Sequence, residues 1–261
     1  MFYRTTNNPI AIEAVQKFKE TYNKEVLFAC LFGSHAYGYA SKDSDYDIRI
    51  IYKEKSVGNY FLLGKYKDFI NYSDGNIDVE AYDIGKAIRL CAKSNVSILN
   101  WLCGLIIEDN NDMHYRLLCL CEQGDKRKFL KHFLGIAYED YKKLCKNRTV
   151  KELRNLFRDL VDIHLAILNI EEKDLFHADS YMDVSFCIDY PKPNTSIRDF
   201  MYYDFTDKYQ EVTDEVIAKY YAFYLHTKEK ADQALQNTDY EYSDNTLQAM
   251  SLHLYRYLLG Y

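Results

Sequence analysis

Along this chain the spacing of apolar positions changes from helical to alternating and back to helical. Ile12, Val15, Phe18 and Tyr22 fall at helical intervals and predict an amphipathic first helix. Residues 26–32, VLFACLF, form a continuous apolar run that predicts a buried strand, and the run stops at Gly33-Ser34. From 46 to 52 the pattern alternates. Tyr46, Ile48, Ile50 and Tyr52 take one face, and Asp45, Asp47, Arg49 and Ile51 take the other, so this strand has two unlike faces. Residues 53–72 are mixed, with Gly58 and Gly64 as breaks, and predict irregular chain. A turn over residues 73–76 opens a third strand, 77–82, in which Asp78 and Glu80 share a face. A helix follows from Asp83, with Ile84, Ile88 and Cys91 on one stripe. It breaks near Ser94-Asn95, and a second apolar helix runs through Trp101.

The polar run of residues 108–112, EDNND, closes this mixed part, and the remainder is helical in character. Leu153, Leu156, Leu160, Ile163, Ile167 and Ile170 make a long stripe, a loop is expected at residues 190–194, and further helices at 214–235 and 245–259. The expected architecture is α+β: a mixed sheet with flanking helices over residues 1–110, then a helical bundle over 111–261. There is no internal repeat and no low-complexity tract.

At 261 residues and 48% hydrophobic content the chain can bury a sizeable core. A net charge of -6 excludes nucleic-acid binding by bulk electrostatics but leaves room for a local basic face. Seven cysteines, odd in number and without a C-x-x-C pair, read as reduced thiols. No segment approaches the length of an apolar membrane span, and the first ten residues carry no signal-peptide core, so a cytoplasmic protein is expected. The 26 tyrosines read as ordinary packing residues, there being no pattern that would make them base-stacking groups.

The chemistry concentrates in GSHAYGYASKDSDYDIRIIY, residues 33–52. Strand residues two apart point the same way, roughly 6.6 Å apart, so Asp45 and Asp47 can converge on one or two metal ions. Asp78 or Glu80, on a nearby strand, closes the cluster. Oxygen donors without a Cys or His set favour Mg²⁺ or Mn²⁺ shared with a phosphate chain. Gly33 lets the backbone approach a phosphate, and Ser34 offers a hydroxyl and an N–H to it.

Gly33-Ser34, ten residues, then Asp45-x-Asp47 followed by an apolar residue resembles the DNA polymerase beta superfamily of nucleotidyltransferases. The fuller stretch is similar to its RNA-ligase-associated RlaP/YcgL-type branch. Asp83-Ile-Gly-Lys86, Lys93-Ser-Asn95 and Leu99-Asn-Trp-Leu102 extend the likeness, as do Lys151 and Leu156-Phe-Arg158 in the helical half. His35 stands where arginine is common, and the prolines usual near Asn95 and Arg158 are absent. The resemblance implies triphosphate binding at Gly33 and Ser34 and a metal on Asp45 and Asp47. The third carboxylate, the base for the acceptor, falls on Asp78 or Glu80; the apolar flanks of Asp78 favour it, with Glu80 as the rival. Ser44 holds the loop beside the nucleotide. The implied reaction is transfer of a nucleoside monophosphate from an NTP to an acceptor, with release of pyrophosphate.

Other positions are weighed on their chemistry. Lys86 and Lys93 flank the site's helix and can neutralise a triphosphate; a solvated helix face is the competing reading. His35 reads as a loop residue with a local hydrogen bond, and Tyr37 and Tyr39 as packing under the loop. Residues 126–158, beginning at Lys126 and ending at Arg158, hold eleven Lys or Arg against three Asp or Glu. That bias makes RNA the expected acceptor, set across the cleft from the catalytic strands, with Arg154 and Arg158 one helical turn apart to hold a phosphate. The alternatives are adenylylation of a protein or small molecule, and a non-catalytic nucleotide-binding or antitoxin-like partner.

Overall fold

The structure, a computed structural model, describes residues 4–38, 40–60, 66–172, 207–236 and 243–259. Helix α1 (Pro9–Tyr22) starts where the Asn8 side chain accepts the Ala11 N–H, and it stops at Asn23 in the left-handed region. Its buried stripe is Ala11, Ala14, Val15 and Phe18, whereas Ile12 is 46% exposed. Val15, Phe18 and Tyr22 of the expected stripe face the core, and two alanines rather than Ile12 complete that inward face.

Strand β1 (Lys24–Phe32) runs into a short helix, α2 (Gly33–Tyr37), and β2 (Tyr46–Glu54) returns antiparallel to β1. A 3₁₀ turn (Val57–Tyr60) precedes β3 (Phe69–Asp74), which hairpins through Gly75 into β4 (Ile77–Asp83). Helices α3 (Ile84–Ala92) and α4 (Val96–Leu102) lead to β5 (Leu105–Asp109) and α5 (Met113–Glu122). The sheet order is β3-β4-β2-β1-β5; β2 and β4 are parallel and the other pairs antiparallel. The mixed sheet matches the expected architecture, with two strands the periodicity did not show: β3 begins in residues expected to be irregular, and β5 runs into the polar close of the mixed part.

Alternation along the strands gives each sheet face its own cover. Val26, Ile48, Ile50, Val79 and Ala81 pack with α1 on one face. On the other, Tyr82 stacks on Trp101 of α4 at 4.1 Å and Phe28 on His114 of α5 at 5.7 Å. Asp47 and Arg49 of β2, with Asp78 and Glu80 of β4, belong to this second face, at the end where β2 and β4 begin.

Asp83 joins β4 to α3. Fully buried, it caps the helix by accepting the Gly85 N–H at 2.8 Å, and it accepts hydrogen bonds from the hydroxyls of Tyr60 at 2.6 Å and Tyr66 at 2.8 Å. Burial raises its carboxyl above the usual carboxylate range, while the two tyrosines and the amide pull it back. Asp83→Ala leaves three donors without their acceptor and is expected to destabilise the protein by about 2–4 kcal/mol. A thermal melt within a degree of wild type would contradict this.

The chain divides into two compact units, Met1–Gly124 with Tyr242–Tyr261, and Asp125–Glu241. The boundary expected after residue 110 falls inside the first unit, to which residues 242–261 also belong. The second unit contains α6 (Lys126–Asn147), α7 (Val150–Glu172) and α8 (Asp214–Gln236), packed through Phe129, Phe133, Leu153, Leu156, Leu160 and Tyr220. Helix α9 (Asp244–Leu259) returns to the first unit, where the Leu258 carbonyl accepts from Lys53 Nζ at 3.2 Å and Tyr257 carries the Arg116 guanidinium on its ring. The loop expected at residues 190–194, Cys187 and the Ile170 end of the long stripe lie outside the described residues or side chains. Among the described residues no helix is long and apolar enough to cross a membrane.

Candidate active site

Three segments bring the site together: the end of β1 with α2, the start of β2, and the start of β4. Phe32 and Asp47 are paired across β1 and β2, and Asp47 and Asp78 across β2 and β4. The register therefore sets the Gly33 turn, Asp47 and Asp78 side by side at one end of the sheet.

At Gly33 the backbone has φ +63°, in the left-handed region, and a Cβ there would lie 2.0 Å from Asp47 Oδ2 and 2.9 Å from its Cγ. Only a residue without a side chain lets the Asp47 carboxylate rest against this turn. From Gly33 the chain enters α2, which closes at Gly38 with its N–H donated to the Ser34 carbonyl. Ser34 is half-buried in the first turn of that helix, beside the glycine.

Asp47 divides its two oxygens. Oδ2 faces Gly33, and Oδ1 accepts from Arg49 Nη2 at 3.0 Å. Arg49 Nη1 faces Asp78 Oδ2 at 3.5 Å and the Asp78 carbonyl at 3.3 Å, and Nε faces Glu80 Oε2 at 3.7 Å. The guanidinium is thus set among three carboxylates. Its side chain is only 10% exposed, against 27% for Asp47, 40% for Asp78 and 37% for Glu80. Phe32 lies beneath it, the ring centre 5.8 Å from Cζ. The alternating pattern put Arg49 on the carboxylate face but assigned it no role; a basic residue two places after the second aspartate was the available signal.

Burial raises the Asp47 carboxyl above the usual range; Arg49 counteracts this by charge and hydrogen bond, while the charges of Asp78 and Asp45 add to the rise. Asp45, exposed just before β2, therefore lies within electrostatic reach of Asp47. Of the two candidates for the third carboxylate, Asp78 is directly opposite Asp47, and Ser73 Oγ donates to its Oδ1 at 3.0 Å. Glu80 is paired two residues further along, opposite Arg49.

Ser44 and His35 engage the loop itself. Ser44 Oγ accepts the Ser41 N–H at 2.8 Å. His35 stacks on Tyr46 at 4.1 Å, its Nε2 3.4 Å from the Ser44 carbonyl. Tyr37 is buried against Phe32, and Tyr39 lies outside the described residues. Lys93, exposed at the C-cap of α3, has no ion pair with the carboxylates among the described residues. The Lys86 ammonium sits over the rings of Phe69 and Tyr82, at 4.6 and 4.8 Å.

In the second unit, Arg158 pairs with Asp159 at 3.1 Å and Arg154 is buried, so the pair expected to hold a phosphate is drawn into the helical packing. Lys142 pairs with Glu139 at 2.6 Å and Arg148 with Asp214 at 2.6 Å. Lys131, Lys146 and Lys151 are exposed.

Among the described residues no three Asp, Glu, His or Cys side chains group closely enough to hold one ion. Arg49 stands between Asp47 and Asp78. On its other side the donor set suits a hard divalent cation: Asp45 is exposed, Asp47 turns Oδ2 away from the guanidinium, and the two carboxylates repel each other.

Compared with known proteins, residues 8–178, well over half the chain, match the model of RlaP, described as "RNA repair pathway DNA polymerase beta family". The chain is also 28% identical over 149 residues to the uncharacterized protein YcgL of Bacillus subtilis (strain 168). That stretch covers 54% of this chain and 55% of YcgL, so the chain spans about half the length of the curated relative it matches.

Proposed function

This chain belongs to the RNA repair pathway DNA polymerase beta family, and on that premise we propose that it is a metal-dependent nucleotidyltransferase acting on RNA. An acceptor hydroxyl or phosphate oxygen forms a bond to the α-phosphorus of an NTP. The bond from that phosphorus to the bridging α–β oxygen breaks, and pyrophosphate leaves. The observation that carries this reading is the contact between Gly33 and Asp47 Oδ2, which puts a side-chain-free turn against an ionisable carboxylate at one end of the sheet.

The residues take distinct parts. The Gly33-Ser34 turn admits the triphosphate close to the backbone and offers it the Ser34 hydroxyl. Asp45 and Asp47 would hold Mg²⁺ or Mn²⁺, which when bound neutralises charge on the phosphates. Asp78, beside Asp47 in the register, orients the acceptor oxygen and takes its proton. Most of the acceleration is positioning and charge placement, as in phosphoryl transfer generally.

RNA as the acceptor is supported by the family's association with RNA repair and by the exposed basic groups Lys131, Lys146 and Lys151 of the second unit. Cytoplasmic residence fits the free cysteines among the described residues. The test is incubation with Mg²⁺, each of four α-labelled NTPs in turn, and short RNAs with hydroxyl or phosphate ends. Label is expected on the RNA. Label on the protein or on a small molecule instead would favour adenylylation, and NTP binding without transfer to any acceptor would favour a nucleotide-binding or antitoxin-like partner.

A further inference from the structure

We infer that Arg49 is a built-in cation of this site, occupying the place between Asp47, Asp78 and Glu80, and that the site therefore takes one divalent ion, on Asp45 and Asp47, rather than two. The inference rests on the nucleotidyltransferase reading and deepens it.

Each guanidinium nitrogen of Arg49 faces a different carboxylate: Nη2 faces Asp47 at 3.0 Å, Nη1 faces Asp78 at 3.5 Å, and Nε faces Glu80 at 3.7 Å. A second metal bridging Asp47 and Asp78 would have to enter the space this group fills. An arginine keeps its charge at any working pH, and its planar fork suits several carboxylates at once. The group is also held from below and behind. Phe32 lies under the guanidinium, and Nη1 donates to the carbonyls of Ile48 and Asp78 at 3.3 Å each. Swinging it out would leave three carboxylates facing one another at a partly buried end of the sheet and strip the arginine of those acceptors, which a hydrated ion does not replace.

The division of Asp47 follows the same logic. Oδ1 is committed to Arg49, and Oδ2, against Gly33, is the oxygen left for an ion shared with Asp45 and a triphosphate. Asp78, its carboxylate engaged by Arg49 and Ser73, is left to face the acceptor.

Mn²⁺ titration of the full chain tests this, with unbound Mn²⁺ read by its electron paramagnetic resonance signal. Wild type is expected to bind one Mn²⁺. Arg49→Met, which leaves the three carboxylates unopposed, is expected to bind two, and Arg49→Lys, which keeps the charge, one. Asp78→Asn, a near-isosteric change at a half-buried position that folds even if Arg49→Met does not, is expected to keep the single ion within about twofold of wild-type affinity, while Asp45→Asn loses it. Two ions in wild type, one in folded Arg49→Met, or a tenfold weakening in Asp78→Asn would overturn the inference while leaving the nucleotidyltransferase reading in place. No bound ion in any of these proteins would overturn both.

Discussion

Asp47→Asn is expected to lower nucleotidyl transfer by a thousandfold or more, about 4 kcal/mol of barrier. The two oxygens of Asp47 serve different neighbours, Arg49 on one side and the Gly33 turn on the other, and an amide serves neither well. With a neutral group between them, Arg49 loses its shortest charge partner and Asp45 faces an ion alone. The fold should survive, because the backbone pairing of β2 with β1 and β4 does not involve this side chain. Steady-state transfer with labelled NTP, run beside a thermal melt, reads both. Activity within tenfold of wild type in a folded Asp47→Asn protein would remove this carboxylate from the chemistry.

Gly33→Ala is expected to be almost as damaging, and the comparison with Gly75→Ala isolates the reason. Both glycines have a left-handed backbone, with φ near +63° and +62°, so each alanine carries a backbone strain of about 1–2 kcal/mol. At Gly75 nothing lies within 4 Å of the added methyl, whereas at Gly33 it would meet the Asp47 carboxylate at 2.0 Å. The turn or the carboxylate has to move, and the carboxylate is tied to Arg49. Gly75→Ala should therefore lose only that backbone strain and keep full transfer activity. Gly33→Ala should match it in melting temperature to within a few degrees and yet lose at least a hundredfold in activity. Equal activities in the two variants would show that the close approach at Gly33 has no part in the reaction.

What the sequence made legible follows from which signals are local. Strands β1, β2 and β4 announce themselves by apolar runs or alternation, and the Gly33 to Asp47 spacing is a one-dimensional pattern. Strand β3, FINYSD, buries only Ile70 and ends in polar residues, so an edge strand there looks like loop. Strand β5, LIIED, is short and runs straight into the polar close of the mixed part. The inward face of α1 relies on Ala11 and Ala14, which a search for large apolar residues passes over.

The site shows the same division. The aspartates could be picked out by spacing, but the neighbours of Arg49 depend on the parallel pairing of β2 with β4, which no local pattern reveals. A carboxylate cluster on a buried strand calls for a positive partner. The sequence suggested an ion, and the register supplied an arginine from the same strand. Likewise Arg154 and Arg158 sit one turn apart in sequence, but only the packing of α7 shows Arg154 to be interior.

Helix α9 gives the first unit a particular order of birth. The strands and helices of residues 4–122 leave the ribosome early, but Leu247, Leu254 and Leu258, which bury themselves when α9 returns, arrive after the whole of the second unit has been made. A nascent chain that stops anywhere in α6, α7 or α8 thus carries every site residue and yet lacks the helix that covers α3 and α5. Translation must run through the second unit before the first is finished, so truncated products present an incomplete unit to the cell's proteases rather than a free-standing first unit.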